Sequence, residues 1–165
     1  MIKPHGADTL KPLYVTDATE RARLTAEAEN LPSLLVSSAA AGNAVMLAAG
    51  YFTPLTGFMN LADSLSVAET LHTTTGLFLP VPIVNMVKDI STIKDAKRIA
   101  LRDPNVEGNP VLAIMDIEAI DEASPEQIRF MAEKIFGTLA DKHPGAGTFM
   151  QQGTFLASGP IPALN

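Results

Sequence analysis

The chain has 165 residues, the length of one ordinary domain with a single hydrophobic core. It contains no cysteine, which excludes disulfides, thiolate zinc sites, iron–sulfur clusters and a cysteine nucleophile, and makes a reducing cytoplasm the expected compartment. A formal net charge of −6 opposes binding to nucleic acid or anionic lipid, because both require a clustered excess of lysine and arginine.

Two helices are predicted in the first third of the chain. Asp17 caps the first helix, Glu20 follows three residues later as in a capping box, and Pro32 ends the helix. Either Ser37 or Ser38 caps the second, which is rich in small residues and stops near residue 50.

Two further helices are predicted from their caps and apolar spacing. The third begins at Asn60 or Asp63, and leucines and an alanine recur at three- and four-residue spacing along it. The fourth runs from Ser124 to Gly137, with proline in its first turn and glutamine three residues after the cap.

The strands are predicted between and after these helices. Leu77–Val87 is expected to be an edge strand, because Pro80 and Pro82 lack the N–H that a central strand would use. Ile93–Arg102 and Val111–Ile120 are expected to form a hairpin, because a turn-rich segment separates them.

The tail His143–Asn165 holds four glycines and three prolines and predicts turns with one or two short strands. Gly145-Ala146-Gly147 is not expected to precede a helix, so a phosphate-binding loop is weakly supported. Helices come first and strands later, which indicates an α+β fold with a small barrel or curled sheet.

Charged side chains are unevenly distributed. None lies between Glu29 and Asp63, and none follows Lys142. The longest apolar run of the first segment, Ala44–Phe52, covers nine residues, whereas a membrane span needs about 20. We therefore expect these segments to be core or a surface that contacts another protein domain, and expect no membrane partner.

Three isolated histidines are candidates for chemistry: His5, His72 and His143. None belongs to a close-spaced metal-binding pair, and each is expected to hydrogen-bond the backbone in a turn or in the core. No G-x-x-x-x-G-K-[ST], G-x-G-x-x-G or G-x-S-x-G motif is present. From the residues alone, no active site assembles.

Clusters of charged residues are the other candidates for a functional site. Basic residues between positions 94 and 102 are expected on a solvated strand face, paired across the hairpin with Asp116 or Glu118. The acidic residues at 116–118 and 121–122 could bind a divalent ion. We favour instead an exposed strand face for the first group and the approach to a helix cap for the second.

An ordered set of turn motifs extends along nearly the whole chain. They are Pro4-His5-Gly6, Gly50-Tyr51-Phe52-Thr53-Pro54-Leu55-Thr56-Gly57-Phe58-Met59, Pro80-Val81-Pro82-Ile83, Gly108-Asn109-Pro110, Gly137-Thr138 followed by His143-Pro144-Gly145, and Gly159-Pro160-Ile161. In this order and spacing they resemble the N-terminal domain of the ATP sulfurylase (sulfate adenylyltransferase) family.

The resemblance implies one PUA-like domain over residues 1–165, a pseudo-barrel with flanking helices. The family converts ATP and sulfate to adenylyl sulfate and diphosphate, and magnesium accompanies the nucleotide. Its catalytic motifs, Q-x-R-N-P-x-H and G-R-D-H-A-G, lie in a following domain, and neither occurs here. The resemblance thus implies no catalytic residue, metal ligand or cofactor in this chain, and MgATP for the full-length enzyme.

The partner that the resemblance implies is a catalytic domain, covalent or separate, in a homo-oligomer. The motif loops are expected to be scaffold or contacts to that domain. They comprise His5, Gly6, Phe52, Pro54, Leu55, Gly57, Phe58, Met59, His143, Pro144 and Gly145. Two alternatives stay open: a PUA-like nucleic-acid-binding module, which the charge opposes, and a stand-alone adenylyl-sulfate-binding protein with His5 and His143 near its pocket.

Overall fold

The structure, a computed structural model, describes residues 2–165 and contains five helices and seven strands. The helices are α1 Ala18–Ala28, α2 Ser38–Ala48, α3 Leu61–Thr70, α4 Pro125–Phe136 and α5 Pro144–Gln151. The strands are β1 Ser33–Leu35, β2 Gly57–Phe58, β3 Met86–Val87, β4 Arg98–Arg102, β5 Val111–Asp116, β6 Ala119–Glu122 and β7 Phe155–Pro160.

The strands form two sheets. In the first, β4 is central and pairs in parallel with β1 and antiparallel with β5. In the second, β7 pairs antiparallel with β2, β3 and β6. An isolated bridge between Ala113 and Ala163 connects β5 to the segment after β7, but the sheets do not close into a barrel. The α+β class is therefore confirmed, with an open arrangement of strands.

Local sequence chemistry determines where the helices begin. The side chains of Asp17, Ser37 and Asn60 each accept a hydrogen bond from the backbone N–H three residues later. Ser124 and Gln127 form the predicted capping box, in which each side chain bonds the other residue's N–H, at 3.2 and 2.8 Å. The predicted N-termini are confirmed. Where the sequence left two candidate caps open for a helix, the structure uses Ser37 for α2 and Asn60 for α3.

The predicted edge strand Leu77–Val87 is wrong over most of its length. Only its last two residues, Met86–Val87, form a strand, and they pair with β7. Pro80 and Pro82 each remove a ladder N–H donor, so the segment before β3 runs as irregular chain.

The predicted hairpin is confirmed at its centre, where β4 pairs with β5 and Arg98 lies opposite Asp116. Its outer ends are wrong. Residues 93–95 form turns and 96–97 are irregular, and the chain leaves the first sheet after β5 because β6 joins β7 instead. The Glu118 N–H donates to the Ser158 carbonyl oxygen over 2.9 Å at this crossover.

The expectation that no helix follows His143 is wrong, because α5 begins there. The His143 Nδ1 accepts a hydrogen bond from the Ala146 N–H at 3.1 Å and so acts as the helix cap. A Cβ at Gly147 would lie 2.6 Å from the Asp141 carbonyl oxygen. The glycine that suggested a turn instead permits close packing inside the helix, and the rest of the tail forms strand β7 as expected.

The core has three apolar clusters. The largest lies between the sheets and α2 and includes Leu47, Ile99 and Met115. The second packs α3, α4 and α5 together around Met131, and the third lies beneath α1 around Ile114. The inward face of α2 thus places part of the uncharged segment in the core. No helix within residues 2–165 has the length and apolar character needed to cross a bilayer.

Candidate functional site

Two of the predicted motif loops lie against each other. Gly6 adopts a left-handed backbone with φ of 65°. A Cβ at this position would lie 3.1 Å from Cδ of Pro54 and 2.7 Å from Cδ1 of Leu77. The His5-Gly6 turn therefore packs on the loop of residues 50–59, and its glycine is required by both conformation and space.

An aromatic cluster adjoins this contact. The His5 Nε2 donates to the Phe78 carbonyl oxygen over 2.8 Å, and the two rings meet edge to face with centroids 5.9 Å apart. The His72 ring lies 5.6 Å from the same phenyl ring, and its Nδ1 donates to the Thr70 carbonyl oxygen over 2.7 Å. Phe78 is 44% exposed. Sequence reasoning missed its role, since no local pattern distinguishes this phenylalanine.

The first half of the 50–59 loop is fixed by Thr53, which is buried. Its Oγ1 donates to the Gly50 carbonyl oxygen over 2.7 Å and accepts from the Lys11 N–H over 3.0 Å. The Thr53–Pro54 peptide bond is cis. These bonds tie the loop to the N-terminal segment.

The second half of the loop enters the core. Phe58 and Met59 are buried, and the Met59 N–H donates to the Ile83 carbonyl oxygen over 2.9 Å. Phe52 and Leu55 are half-buried against the largest cluster. Every side chain of the loop is uncharged.

The third motif loop, at His143, packs against different elements. Besides capping α5, the His143 ring lies 5.6 Å from the Phe136 ring at the end of α4. Pro144 occupies the first turn of α5, where its missing N–H costs nothing. A Cβ at Gly145 would lie 2.5 Å from the Phe136 ring, so the glycine allows the ring its position.

An open groove of about 440 Å³ lies beside the His143 loop, and we call it the apolar groove. α2, α4, α5 and the segment before β3 form its walls. It is lined by Ala39, Asn43, Val81, Pro82, Val84, Ile135, Phe136, Pro144, Gly145, Thr148, Phe149 and Gln152. Every lining residue is uncharged, which does not suit a sulfate or polyphosphate ligand.

The arginines of β4 are engaged in ion pairs. Arg98 lies 2.6 Å from a Glu27 carboxylate oxygen and 2.7 Å from one of Asp116, which confirms the predicted cross-strand pair. These hydrogen bonds, that of Asp116 first, raise the pKa of Arg98. Arg102 pairs with Glu29 at 3.0 Å. The pairs bind helix α1 to the first sheet.

Several carboxylates are used within the fold. One Asp121 oxygen accepts the Leu61 N–H at the start of α3 over 3.0 Å, and Asp63 accepts from the N–H and hydroxyl of Thr74 at 2.8 and 2.6 Å. Within residues 2–165, no group of three or more histidine, aspartate or glutamate side chains is arranged to hold a metal ion.

Comparison with known proteins identifies the domain. A family model described as a PUA-like domain matches residues 2–165, and the chain belongs to this family. Over its whole length it is 60% identical to a sulfate adenylyltransferase of Alcanivorax borkumensis, and it covers 41% of that relative. It is 56% identical to the enzyme of Allochromatium vinosum, covering 42%, and 50% identical to that of the Riftia pachyptila endosymbiont, covering 37%.

The fold also occurs within a longer solved structure. The hexameric APS kinase from Thiobacillus denitrificans matches 99% of this chain with a TM-score of 0.68 and 25% identity, over 27% of that chain. The present chain thus spans about two fifths of the length of its curated relatives and a smaller share of this structure. These proportions are consistent with an N-terminal domain of a larger protein.

Proposed function

We propose that this chain is the N-terminal domain of a sulfate adenylyltransferase, which makes adenylyl sulfate and diphosphate from ATP and sulfate. In this proposal the domain supports and orients a catalytic part and does not itself carry out the reaction. The observation that carries it is the whole-length identity of 50–60% to sulfate adenylyltransferases that are more than twice as long.

The chemistry of the described residues supports a noncatalytic role. Adenylyl transfer requires cationic groups around the polyphosphate. Arg98 and Arg102 are instead held by carboxylates, and the loops that carry the resemblance are uncharged. We therefore place MgATP binding outside residues 2–165 and assign no reaction step to a residue of this chain.

The same proposal includes the assembly and its location. The hexameric state of the Thiobacillus denitrificans protein supports a homo-oligomer of the longer protein. The cysteine-free sequence supports a cytoplasmic location. A nucleic-acid-binding role has less support, because the net charge is −6 and the arginines of β4 are paired.

The gene provides the first test. The reading frame beyond the codon for Asn165 is expected to encode Q-x-R-N-P-x-H within the next domain's length. A stop codon directly after Asn165 would contradict the covalent form of the proposal. In that case the catalytic part must be found as a separate chain that copurifies with this one, and its absence would overturn the proposal.

A further inference from the structure

We propose that the side-chain amide of Asn85 is a binding site for one water molecule inside the core. Asn85 is fully buried, with 0% of its surface exposed. Neither its Nδ2 nor its Oδ1 has a hydrogen-bond partner among residues 2–165. Such a site is a property of the domain itself and is independent of the proposed function.

The other buried polar side chains of the described chain have protein partners. The hydroxyls of Thr53, Ser64 and Ser158 donate to backbone carbonyl oxygens over 2.7, 2.6 and 3.4 Å. The Thr73 hydroxyl accepts a backbone N–H over 3.1 Å. Asn85 is thus the exception within residues 2–165, and its amide has both a donor and an acceptor to satisfy.

The Asn85 side chain faces the largest apolar cluster. Ile83 and Val87 belong to that cluster, whereas Val84 and Met86 belong to the second cluster. The side chains of the segment leading into β3 therefore alternate between the two clusters, which places Asn85 on the same side as Ile83 and Val87. Apolar side chains offer an amide no hydrogen bond, so the surroundings that bury Asn85 leave its polar atoms unsatisfied.

Water is the ligand that matches this group. A buried donor or acceptor without a partner loses its hydration without compensation, and native proteins leave few such groups unpaired. Water can donate to Oδ1 and accept from Nδ2, and buried waters typically bind polar groups that the fold leaves over. Because Asn85 has no exposed surface, a larger polar ligand has no opening through which to reach it.

Helix α2 packs beside the same segment with small side chains. The amide of its Asn43 donates to the Val84 carbonyl oxygen over 3.3 Å, one residue away from Asn85. Ala40 and Ala44 of this helix lie in the largest cluster. Their methyl groups reach less far into the core than larger apolar side chains would, and we place the water between Asn85 and this wall.

Nuclear magnetic resonance tests the site directly, with water itself as the probe. Cross-relaxation between water and the side-chain amide protons of Asn85 is recorded in ¹⁵N-resolved NOE and ROE spectra of the 165-residue chain. We expect cross-peaks of opposite sign in the two spectra. This pattern identifies a water held beside the amide, because proton exchange gives the same sign in both.

A matched pair of variants counts the water. Asn85→Leu removes both unsatisfied atoms and keeps a side chain of similar size, whereas Ser64→Ala removes a buried hydroxyl that already has a protein acceptor. The ¹⁷O magnetic relaxation dispersion of the solvent reports the number of long-lived internal waters. We expect about one fewer in Asn85→Leu than in the unmodified chain, and no loss in Ser64→Ala.

Two results would overturn the proposal. If the folded, unmodified chain gives no water cross-peak at the Asn85 amide, the amide is dry, and this result does not depend on the folding of any variant. If folded Asn85→Leu retains the same number of long-lived waters as the unmodified chain, those waters are bound elsewhere.

Discussion

Gly57 and Gly159 lie on the adjacent strands β2 and β7, and neither has room for a side chain. A Cβ at Gly57 would overlap the carbonyl group of Gly159, and a Cβ at Gly159 would overlap the carbonyl oxygen of Asp116. The pair β2–β7 forms at this point, with Gly57 opposite Pro160 and Phe58 opposite Gly159. The most characteristic loop of the sequence is thus joined to the strand on which the second sheet is built.

Gly57→Ala is expected to lower the free energy of unfolding by about 2 kcal/mol, because the added methyl group forces two backbones apart. Urea denaturation measures the change. Gly42→Ala is the matched control, since a Cβ there meets nothing within 4 Å and lies within α2. The control is expected to be neutral or to stabilise by up to about 1 kcal/mol. Equal effects of the two substitutions would contradict the close approach.

Arg98→Ala tests how α1 is attached to the first sheet. The substitution removes ion pairs to Glu27 and Asp116 and is expected to destabilise the chain by about 1 kcal/mol, because the groups are partly exposed. The loss should shrink at high salt, which screens the pairs. Arg23→Ala removes pairs within α1 only and is expected to leave the denaturation midpoint unchanged. A salt-independent effect of Arg98→Ala would show that the ion pairs do not contribute.

The three histidines are expected to divide between the two neutral tautomers. His5 donates from Nε2 to a carbonyl oxygen, His72 donates from Nδ1 to another, and the His143 Nδ1 accepts a backbone N–H. His5 and His143 should therefore carry the proton on Nε2, and His72 on Nδ1. Long-range ¹H–¹⁵N correlation spectra of the imidazole rings distinguish the forms. A single common tautomer would contradict these contacts.

Local chemistry made most helix starts predictable. Asp17, Ser37, Asn60 and Ser124 are caps whose effect depends only on the next few residues. Helix α5 was not predictable in this way. Its cap is the ring of His143, and its glycines, which suggest a turn in sequence, are accommodated by contacts with α4 and with the backbone before the helix.

Nonlocal contacts also limited the prediction of the sheets and the site. The parallel pairing of β1 with β4 joins residues more than 60 positions apart, and β7 collects partners from three distant segments. The motif residues were visible in the sequence, but their neighbours were not. Neither the packing of His5 on Phe78 nor the apolar groove follows from spacing, because each brings together separate parts of the chain.

The isolated chain is expected not to bind adenylyl sulfate. His5 packs against Phe78 while His143 packs against Phe136, and the apolar groove offers an anion no charged partner. Titration calorimetry of the 165-residue chain with this nucleotide should give only heat of dilution. A saturable heat, reduced by His143→Ala but not by Gly42→Ala, would favour a stand-alone binding protein instead.

The most direct measurement is diphosphate release from MgATP and sulfate, assayed side by side for the 165-residue chain and for the longer protein that contains it. The account predicts turnover by the longer protein and none above background by the chain alone, because Arg98 and Arg102 are held by carboxylates and the loops that carry the resemblance are uncharged. Turnover by the isolated chain, or an inactive but folded longer protein, would contradict the account.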